Sequence, residues 1–302
     1  NTAYLDEANL RALVAANPNL GGEVNMIAND LTTPYSDQFS LGIRNSFGQW
    51  NSAITLSHVR SHDGIVFTLG NRYPDGSFRP TGTTWGGQPW GFGVPGFGTL
   101  ILADNGIETR LNSLLFSLEK PYSTEAGWGA TFAYTYSDAK ENRSNAAASD
   151  EHYLFDYPNT EGFGWKRSTG IARHRLVATG IVEGPWEMLF SAKATVETPS
   201  TYEAVNCADA IDWNNCFFDP FTPSGTFGRR QLDLAVSKDL VFGADYRLNF
   251  RVDVLNVFNY RNWNEYNNWR GGPGETNPDF GTHGLGILLP TRTMKLSVGF
   301  TW

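Results

Sequence analysis

The residues whose types could carry metal or acid–base chemistry are few in this sequence, and they are scattered. His58 and His62 are four residues apart, with Asp63 adjacent, and this spacing brings two imidazoles together on a helix. The surrounding residues instead alternate as in a strand and run into a loop, which separates the two rings. We interpret this group as a solvated rim and expect no metal site there.

A second candidate is an acidic segment that contains Asp138, Glu141, Asp150 and Glu151. Carboxylates attract Ca²⁺, but the segment lacks the regular oxygen spacing of a calcium loop, and we interpret it as solvated. The sequence also lacks a phosphate-binding glycine loop, a nucleophile elbow and zinc-ligand spacing. We therefore predict that the chain is not an enzyme and holds no cofactor.

Large aromatic residues occur in segments that otherwise have the composition of loops. An exposed tryptophan is unfavourable unless it packs or binds a ligand. The residues concerned are Trp85, Trp90, Trp213, Trp263, Tyr266 and Trp269. Two interpretations remain open. They either pack the long connections against one another or at a rim, or they form a stacking surface for a sugar, a siderophore or a peptide.

The two cysteines, Cys207 and Cys216, are nine residues apart in a segment rich in Asn and Asp. This spacing fits a local disulfide, and two free thiols are the alternative. A disulfide forms in an oxidising environment, so this pair indicates a location outside the cytoplasm.

The composition restricts the class of protein. The 302 residues carry a formal net charge of -8, so a basic stripe for phosphate is missing and nucleic acid is not an expected partner. No apolar run reaches the roughly 18 residues that a transmembrane helix needs. The sequence begins without Met or an apolar leader, and we interpret it as a mature product or a fragment.

The clearest structural element is the last ten residues, 293–302. Every second side chain is large and apolar: Met294, Leu296, Val298, Phe300 and Trp302. The residues between them are small or polar, which is the period of a strand with one apolar face. Ten tilted residues are about what a strand needs to cross the hydrocarbon of a bilayer.

The same alternation recurs in hairpins upstream and begins at Tyr35. His58 falls on the apolar side of its strand, so either the apolar surface ends there or the strand bulges. About nine strands are predicted, and their connections alternate between a few residues and about thirty to fifty, as in bacterial barrels. The long connections are residues 61–111, 138–172, 197–227 and 259–290.

These features predict an all-β fold, an antiparallel transmembrane β-barrel. A soluble β-sandwich is the alternative, but its loops do not sort by length in this way. Single-chain bacterial barrels have even strand numbers, so an odd count predicts the carboxy-terminal portion of a larger barrel in residues 35–302. Residues 1–34 are then expected to be an extracellular loop segment, with a short helix within residues 5–16.

The strand register also assigns side chains to the two faces. The charged residues expected to face the lumen are Arg44, Glu119, Lys193, Asp233, Arg247, Arg251 and Asp253. Such charges either contact a plug or a solute, or line a water-filled lumen with salt bridges. Aromatic residues next to the short turns are expected to form the membrane girdle. They are Trp50, Trp128, Trp186 and Trp302.

Residues 230–239 (RQLDLAVSKD) and 248–260 (LNFRVDVLNVFNY) resemble the end of a TonB-dependent receptor, which has a basic-x-LD-x-x-x-SK strand, an L-x-x-DVxNLFN strand and a terminal aromatic strand. Residues 34–42 (PYSDQFSLG) and 134–139 (YTYSDA) are similar to the Oar-like subgroup. The resemblance covers residues 35–302, and residues 256–259 (NVFN) are its most specific part. The family's TonB box and globular plug are N-terminal and lie outside this sequence.

The resemblance implies an outer-membrane barrel of about 22 strands, of which this chain supplies roughly the last nine. It implies uptake of an unidentified extracellular solute, powered by the inner-membrane TonB complex through the plug. The implied partners are outer-membrane lipid, the upstream strands and the plug. The long loops would be extracellular and the C-terminus at the periplasmic rim. The alternative is a structural or adhesive surface barrel that binds partner proteins without transport.

Overall fold

The computed structural model describes residues 7–16, 22–68, 97–142, 160, 164–210, 217–243, 246–284, 286–288 and 290–302. Strands dominate this part of the chain, and they follow one helix, α1 (Glu7–Ala16). The strands are β1 (Gly22–Ile27), β2 (Tyr35–Phe47), β3 (Trp50–Thr68), β4 (Phe97–Ser123), β5 (Trp128–Glu141), β6 (Lys166–Arg167), β7 (His174–Glu183), β8 (Leu189–Glu197), β9 (Tyr202–Asn206), β10 (Phe217–Phe221), β11 (Arg229–Phe242), β12 (Tyr246–Leu255) and β13 (Thr293–Thr301).

Nine of these strands form one antiparallel path, in the order β13-β12-β11-β8-β7-β5-β4-β3-β2. Short turns join β2 to β3, β4 to β5, β7 to β8 and β11 to β12, and the intervening connections are long. The predicted set of about nine antiparallel strands is therefore confirmed. Among the described strands, β6 pairs with β5, whereas β9 and β10 form a separate hairpin.

One face of the nine-strand sheet is apolar and exposed. A row of paired residues runs across four strands through Leu41, Leu56, Leu114 and Tyr136, and the same face ends in the alternating apolar residues of β13. Leu41 is 63% exposed and Leu296 is 72% exposed. Exposed large apolar side chains recur on this face from β2 to β13, whereas water-soluble monomers rarely expose large contiguous apolar patches. This face is suited to contact hydrocarbon.

The opposite face carries mainly small and polar side chains. The row next to the leucines runs through Thr55, Leu115, Thr135 and Arg175. Because a shift of one residue exchanges the two faces of a strand, the pairing fixes which side chains meet hydrocarbon and which meet the polar side.

Buried apolar side chains lie towards the long-connection end of the sheet and beyond it. One group comprises Val66, Ala103, Ile107 and Ala139, and a second comprises Ala204, Cys207 and Ala210. The middle of the sheet has no comparable core among the described residues. This distribution is expected where lipid, and not a second protein layer, covers the apolar face.

The long connection 61–111 was expected to be irregular, and this expectation was wrong for its two ends, residues 61–68 and 97–111. Strand β3 continues to Thr68 and β4 starts at Phe97, and the two extensions pair as far as Thr68 with Leu102. The strand does not bulge at His58, and its register shifts only between Ser61 and Ile65. A hairpin can extend beyond a membrane because its backbone hydrogen bonds need no hydrocarbon, so apolar alternation marks only the part inside the lipid. Residues 69–96 lie outside the described part.

The interpretation of residues 1–34 as loop also needs correction. The helix is present as expected, but residues 22–27 form β1, which pairs in parallel with the β4 extension, for example Asn25 with Ile101. The extension offers a free edge of backbone donors and acceptors to a neighbouring strand. A six-residue strand in a Gly- and Asn-containing segment has too little alternation to be recognised from sequence.

The assignment of faces predicts different effects of the same substitution at adjacent residues. We expect Leu114→Arg, on the apolar face, to cost about 2–4 kcal/mol of folding free energy in a bilayer because it places a charge in hydrocarbon. Leu115→Arg, one residue along the same strand, lies on the polar face and should cost much less. The folded fraction of each full-length variant in outer membranes, measured by heat-modifiable electrophoretic mobility, tests this, and equal losses would contradict the assignment.

Candidate functional site

The seven charged residues predicted to share a face do so in the strand register. One row passes from Glu119 to Thr131, Thr179, Lys193 and Asp233 through paired neighbours on five strands. The other members also lie opposite the apolar residues of their strands. They are Arg44, Arg247, Arg251 and Asp253. The polar face thus carries a band of charges of both signs.

Two ion pairs lie on this face, one within β12 and one between β12 and β11. The Arg251 guanidinium contacts the Asp253 carboxylate at 2.7 Å. Arg247 lies 3.5 Å from Asp239, which also accepts a hydrogen bond of 2.6 Å from the Asn249 amide. These charges are therefore engaged with the wall of the sheet.

Asp233 has a structural role in this face. Its Oδ1 accepts a hydrogen bond of 2.7 Å from Gln231 Nε2 and one of 2.8 Å from the backbone N–H of Asn256. The carboxylate therefore holds Asn256, the residue that directly follows β12 and precedes the last long connection. The sequence pattern gave no sign of this contact, because the two residues are 23 positions apart.

The three remaining charges, Arg44, Glu119 and Lys193, are exposed and make no ion pair or hydrogen bond within the described part of the chain. Glu119 and Lys193 border a concavity of about 430 Å³ on the sheet, which Asp233, Arg251 and Asp253 also line. A carboxylate and an ammonium group on one concave polar surface can bind a polar or zwitterionic group by charge-assisted hydrogen bonds.

Asn256 closes the base of the last long connection. Its side chain is 1% exposed, its Nδ2 donates to the Tyr260 carbonyl at 2.8 Å and towards the Pro290 carbonyl at 3.4 Å, and its Oδ1 accepts from the Tyr260 N–H at 2.9 Å. Asn259 adds a second link, since its Oδ1 accepts from the Arg292 N–H at 2.9 Å. Both asparagines have positive φ angles, 53° and 56°, a conformation that Asn adopts more readily than most residues.

This Asn256 clamp gives a physical reason for two asparagines in the NVFN segment. The residue type is needed both for the left-handed backbone and for an amide that donates and accepts at the same point. The sequence identified the segment only through its resemblance to a family, because hydrogen bonds between residues 256 and 290 cannot be read from local pattern.

Two of the loop aromatics lie in a cluster of rings between the last two long connections. Trp263 stacks on His283 with ring centroids 4.9 Å apart, and Tyr266 contacts the same imidazole at 5.5 Å. Tyr266 also packs at 4.9 Å against Tyr202 of β9, which contacts Phe221 of β10. His283 thus lies in a ring stack.

Burial of the cluster affects its phenols. Desolvation raises the pKa of Tyr266, and desolvation together with the nearby Tyr266 raises the pKa of Tyr202. Both groups therefore remain neutral hydroxyls over the physiological range of pH. Trp269 joins the same region through a bridge between its backbone and Val205. Trp85, Trp90 and Trp213 lie outside the described residues.

The cysteine segment belongs to the same region. Cys207 follows β9, is 1% exposed and is disulfide-bonded. Cys216 lies outside the described residues, so the Cys207–Cys216 pairing stays a prediction. Beside it, Asn206 and Asp209 form a hydrogen bond of 2.9 Å that tightens the turn after β9.

The metal candidates are engaged in separate contacts. His58 Nδ1 lies 2.8 Å from Asn112 Oδ1, and His62 stacks on Tyr35 and lies 3.3 Å from Asp37. Asp63 sits at the β3 bulge with a φ of 56°. Within the residues that the structure describes, no group of three or more His, Cys, Asp or Glu side chains has the geometry of a metal site.

The acidic segment also divides. Asp138 lies 3.8 Å from Arg173, and Glu141 accepts a hydrogen bond of 3.3 Å from the Thr169 N–H. Asp150, Glu151 and His152 lie outside the described residues. The two described carboxylates of this segment, Asp138 and Glu141, therefore contact other residues of the protein.

The tryptophans assigned to the girdle lie at the short-turn end of the sheet. Trp50 and Trp128 follow short turns and contact each other edge to face, with centroids 5.9 Å apart. Trp186 lies in the 3₁₀ turn Pro185–Glu187 and is 77% exposed, and the terminal Trp302 is 81% exposed. Their role at a membrane interface stays a prediction. Among the helices described, none has the length and apolar character to cross a bilayer.

Comparison with known proteins gives three findings. Residues 3–196 match the family model described as an outer membrane beta barrel domain. No curated protein matches the sequence. The structure is similar to the outer membrane transporter YddB from Escherichia coli, with a TM-score of 0.58 and 14% identity over 93% of this chain and 34% of that one.

It is also similar to FpvA from Pseudomonas aeruginosa bound to heterologous pyoverdines, with a TM-score of 0.52 and 13% identity over 90% of this chain and 27% of that one. The chain thus spans about a third or less of the length of these proteins. At such identities the similarity concerns the fold.

The Asn256 clamp leads to a prediction about the order of the last connection. Asn256→Ala removes the amide and disfavours the left-handed backbone, and we expect a loss of about 1–3 kcal/mol for each buried group left unsatisfied. Asn256→Gly keeps the backbone conformation but loses the same hydrogen bonds, so it should be less harmful. Amide hydrogen exchange of residues 257–290 should accelerate in both variants.

The control for this experiment is Asn268→Ala. Asn268 is exposed in the same connection, and its amide makes one hydrogen bond of 3.3 Å, to the Glu203 carbonyl. Exchange in this variant should stay close to that of the wild type. Equal acceleration in Asn256→Ala and Asn268→Ala would show that the clamp has no special role.

Proposed function

Because the chain belongs to the family of outer-membrane β-barrel domains, we propose that it is the carboxy-terminal part of the barrel of a TonB-dependent, Oar-like receptor that binds an extracellular solute and imports it. The observation that carries the proposal is the contrast between the two faces of the sheet. One face is suited to lipid, and the other presents exposed charges that pair with no side chain in the described part of the chain. Such charges are available to contact a plug or a solute.

Two similar structures support this function. YddB is an outer membrane transporter, and the FpvA structure contains bound pyoverdines. In the proposed receptor the rest of the protein supplies the upstream strands, the plug and the segment that contacts the TonB complex. The outer-membrane location follows from the family, and the direction of insertion is part of the proposal. The long connections face the exterior, residues 1–34 lie with them, and the C-terminus is at the periplasmic rim.

The polar face supplies the path of the solute in this proposal. Arg44, Glu119 and Lys193 contact the plug or the solute, since their charges are available on the polar surface. Asp233, Arg247, Arg251 and Asp253 stabilise the wall through the contacts described above. The charged set thus divides into binding residues and structural residues.

The aromatic cluster supplies a platform at the exterior end. Trp263 and Tyr266 are partly exposed, while their rings pack against His283 and Tyr202. In this proposal the same rings both pack the connections together and offer a stacking surface to the solute. Packing fixes the ring planes, and a fixed ring is a better stacking surface for a solute than a mobile one because less conformational entropy is lost on binding. Trp85, Trp90, Trp213 and Trp269 are proposed to extend this surface.

The function is tested by comparing the solutes that cells remove from a defined medium. Three strains are needed: the wild type, a strain that lacks this gene and a strain that lacks TonB. We expect one solute class to remain unused in both mutant strains. If the gene deletion leaves solute consumption unchanged while adhesion to surfaces or cells falls, the structural or adhesive alternative is correct.

The division of the charges gives a sharper prediction. We expect the double variant Glu119→Gln/Lys193→Gln to assemble normally and to lower solute affinity by roughly ten- to hundredfold. Each Gln still forms a neutral hydrogen bond, so the loss is about 1 kcal/mol at each of the two sites. Uptake of the solute found in the previous experiment, measured against concentration, gives the affinity.

The matched control is Glu187→Gln/Lys238→Gln. These residues form an ion pair of 2.9 Å at the short-turn end on the opposite side of the sheet, so the same two substitutions are made away from the proposed path. Uptake by the control should equal that of the wild type. If both double variants lose uptake equally, the loss reflects assembly and not solute binding.

A further inference from the structure

The upper part of strand β11 holds the start of the last long connection along its edge. The ladder between β11 and β12 ends at Val254, and the residues after β12 then follow the edge of β11. The Val257 N–H donates to the Leu232 carbonyl at 2.8 Å. The Asn262 side chain accepts a hydrogen bond of 2.9 Å from the Arg230 N–H. The connection therefore begins in direct contact with a strand of the wall.

Between these two contacts lies the hydrogen bond from the Asn256 N–H to Asp233. Asn256 has a φ of 53°, which turns the chain out of the ladder, so its buried N–H needs an acceptor other than a ladder carbonyl. Asp233 Oδ1 accepts this N–H at 2.8 Å. The same aspartate lines the concavity that Glu119 and Lys193 border. A carboxylate on the proposed solute path therefore satisfies the first residue after β12.

Asn256 extends this contact to both ends of the connection. Its main chain is held by Asp233, while its side chain donates to the carbonyls of Tyr260 and Pro290. The residue is 1% exposed, so a lost acceptor leaves a buried N–H unpaired, which is unfavourable. A carboxylate that turns away from Asn256 therefore weakens the restraint at the base of the connection.

The Asp233 carboxylate has an alternative partner in the lumen. The strand register places Lys193 of β8 directly opposite Asp233, and opposite side chains have Cβ atoms only about 5 Å apart. Lys193 is exposed and pairs with no side chain in the part of the chain that the structure describes. An ammonium group at Asp233 draws the carboxylate towards the lumen and away from the Asn256 N–H. The two contacts of Asp233 thus compete.

We propose that Asp233 couples the binding of an anionic group at Lys193 to the order of the last long connection. An anion on Lys193 keeps the ammonium from Asp233, so the carboxylate stays on the Asn256 N–H and the connection stays restrained. Without the anion, Lys193 competes for Asp233 and the restraint weakens. The inference rests on the proposed function for the solute and adds the regulation of its site.

The coupling has a consequence for the aromatic platform, because Trp263 and Tyr266 belong to the connection that Asn256 restrains. An anionic group of the solute at the wall then favours the fixed arrangement of the rings that stack on the rest of it. Coupling between two sites is reciprocal, so a solute held by the rings also favours an unoccupied Asp233 carboxylate and a Lys193 available for the anion.

The link from Asp233 to the connection is tested first, by hydrogen exchange and mass spectrometry of the full-length receptor in neutral detergent. We expect Asp233→Ala to accelerate amide exchange in residues 257–290 about tenfold, because the buried Asn256 N–H loses its acceptor. The matched control is Asp239→Ala. Asp239 lies on the same strand and face and contacts Arg247 and Asn249 instead. Exchange of residues 257–290 in this control should equal that of the wild type.

The coupling is then tested by changing the charge at residue 193 without a natural solute. Lys193→Cys is labelled with methanethiosulfonate reagents that attach either an ethyltrimethylammonium or an ethylsulfonate group. No cysteine in the described part of the chain is free, and reagent-treated wild type controls for other thiols. We expect residues 257–290 to exchange about fivefold faster with the cationic label than with the anionic one. In the Asp233→Asn background, which keeps an acceptor oxygen without the charge, this difference should disappear.

Three outcomes would overturn the proposal. They are unchanged exchange in Asp233→Ala, equal exchange with the two labels, and a difference between the labels that persists in the Asp233→Asn background. Solute uptake by the unlabelled receptor separates this inference from the proposed function. Normal uptake with no effect of the labels refutes only the coupling, whereas the expected effect of the labels in a receptor that imports nothing refutes only the transport function.

Discussion

The antiparallel hydrogen-bond ladder is the interaction on which the rest of this structure depends. In hydrocarbon an unpaired backbone N–H or C=O is very costly, so each membrane strand must pair with its neighbours. The register that satisfies the ladder also fixes the direction of each side chain. A single strand register therefore produces both surfaces. The apolar one runs through Leu41, Leu56 and Leu114, and the charged one runs through Glu119, Lys193 and Asp233.

The sequence predicted the parts of the fold that obey this period. The nine strands and the two faces could be recognised because lipid on one side and water on the other impose strict alternation. The extensions of β3 and β4, the parallel strand β1 and the β9–β10 hairpin could not, since outside the lipid both faces tolerate polar residues. There the apolar period disappears while the backbone pairing continues.

The candidate site shows the same limit. Alternation alone put the seven charges on one face, but it could not separate Arg44, Glu119 and Lys193 from charges that bind the wall. That separation depends on contacts between residues distant in sequence, such as Asp233 with Asn256. Likewise, the composition of the loops showed that aromatic residues were present, whereas the ring stack of Trp263 on His283 depends on how two connections meet.

The bridge between Val205 and Trp269, together with the contact of Tyr202 with Tyr266, joins two connections that are far apart along the chain. Separating the two connections would break a backbone bridge and expose packed rings, so each connection restrains the other. The Asn256 clamp adds a second restraint at the point where the later connection leaves β12. That connection is therefore held both at its base and where it packs against its neighbour.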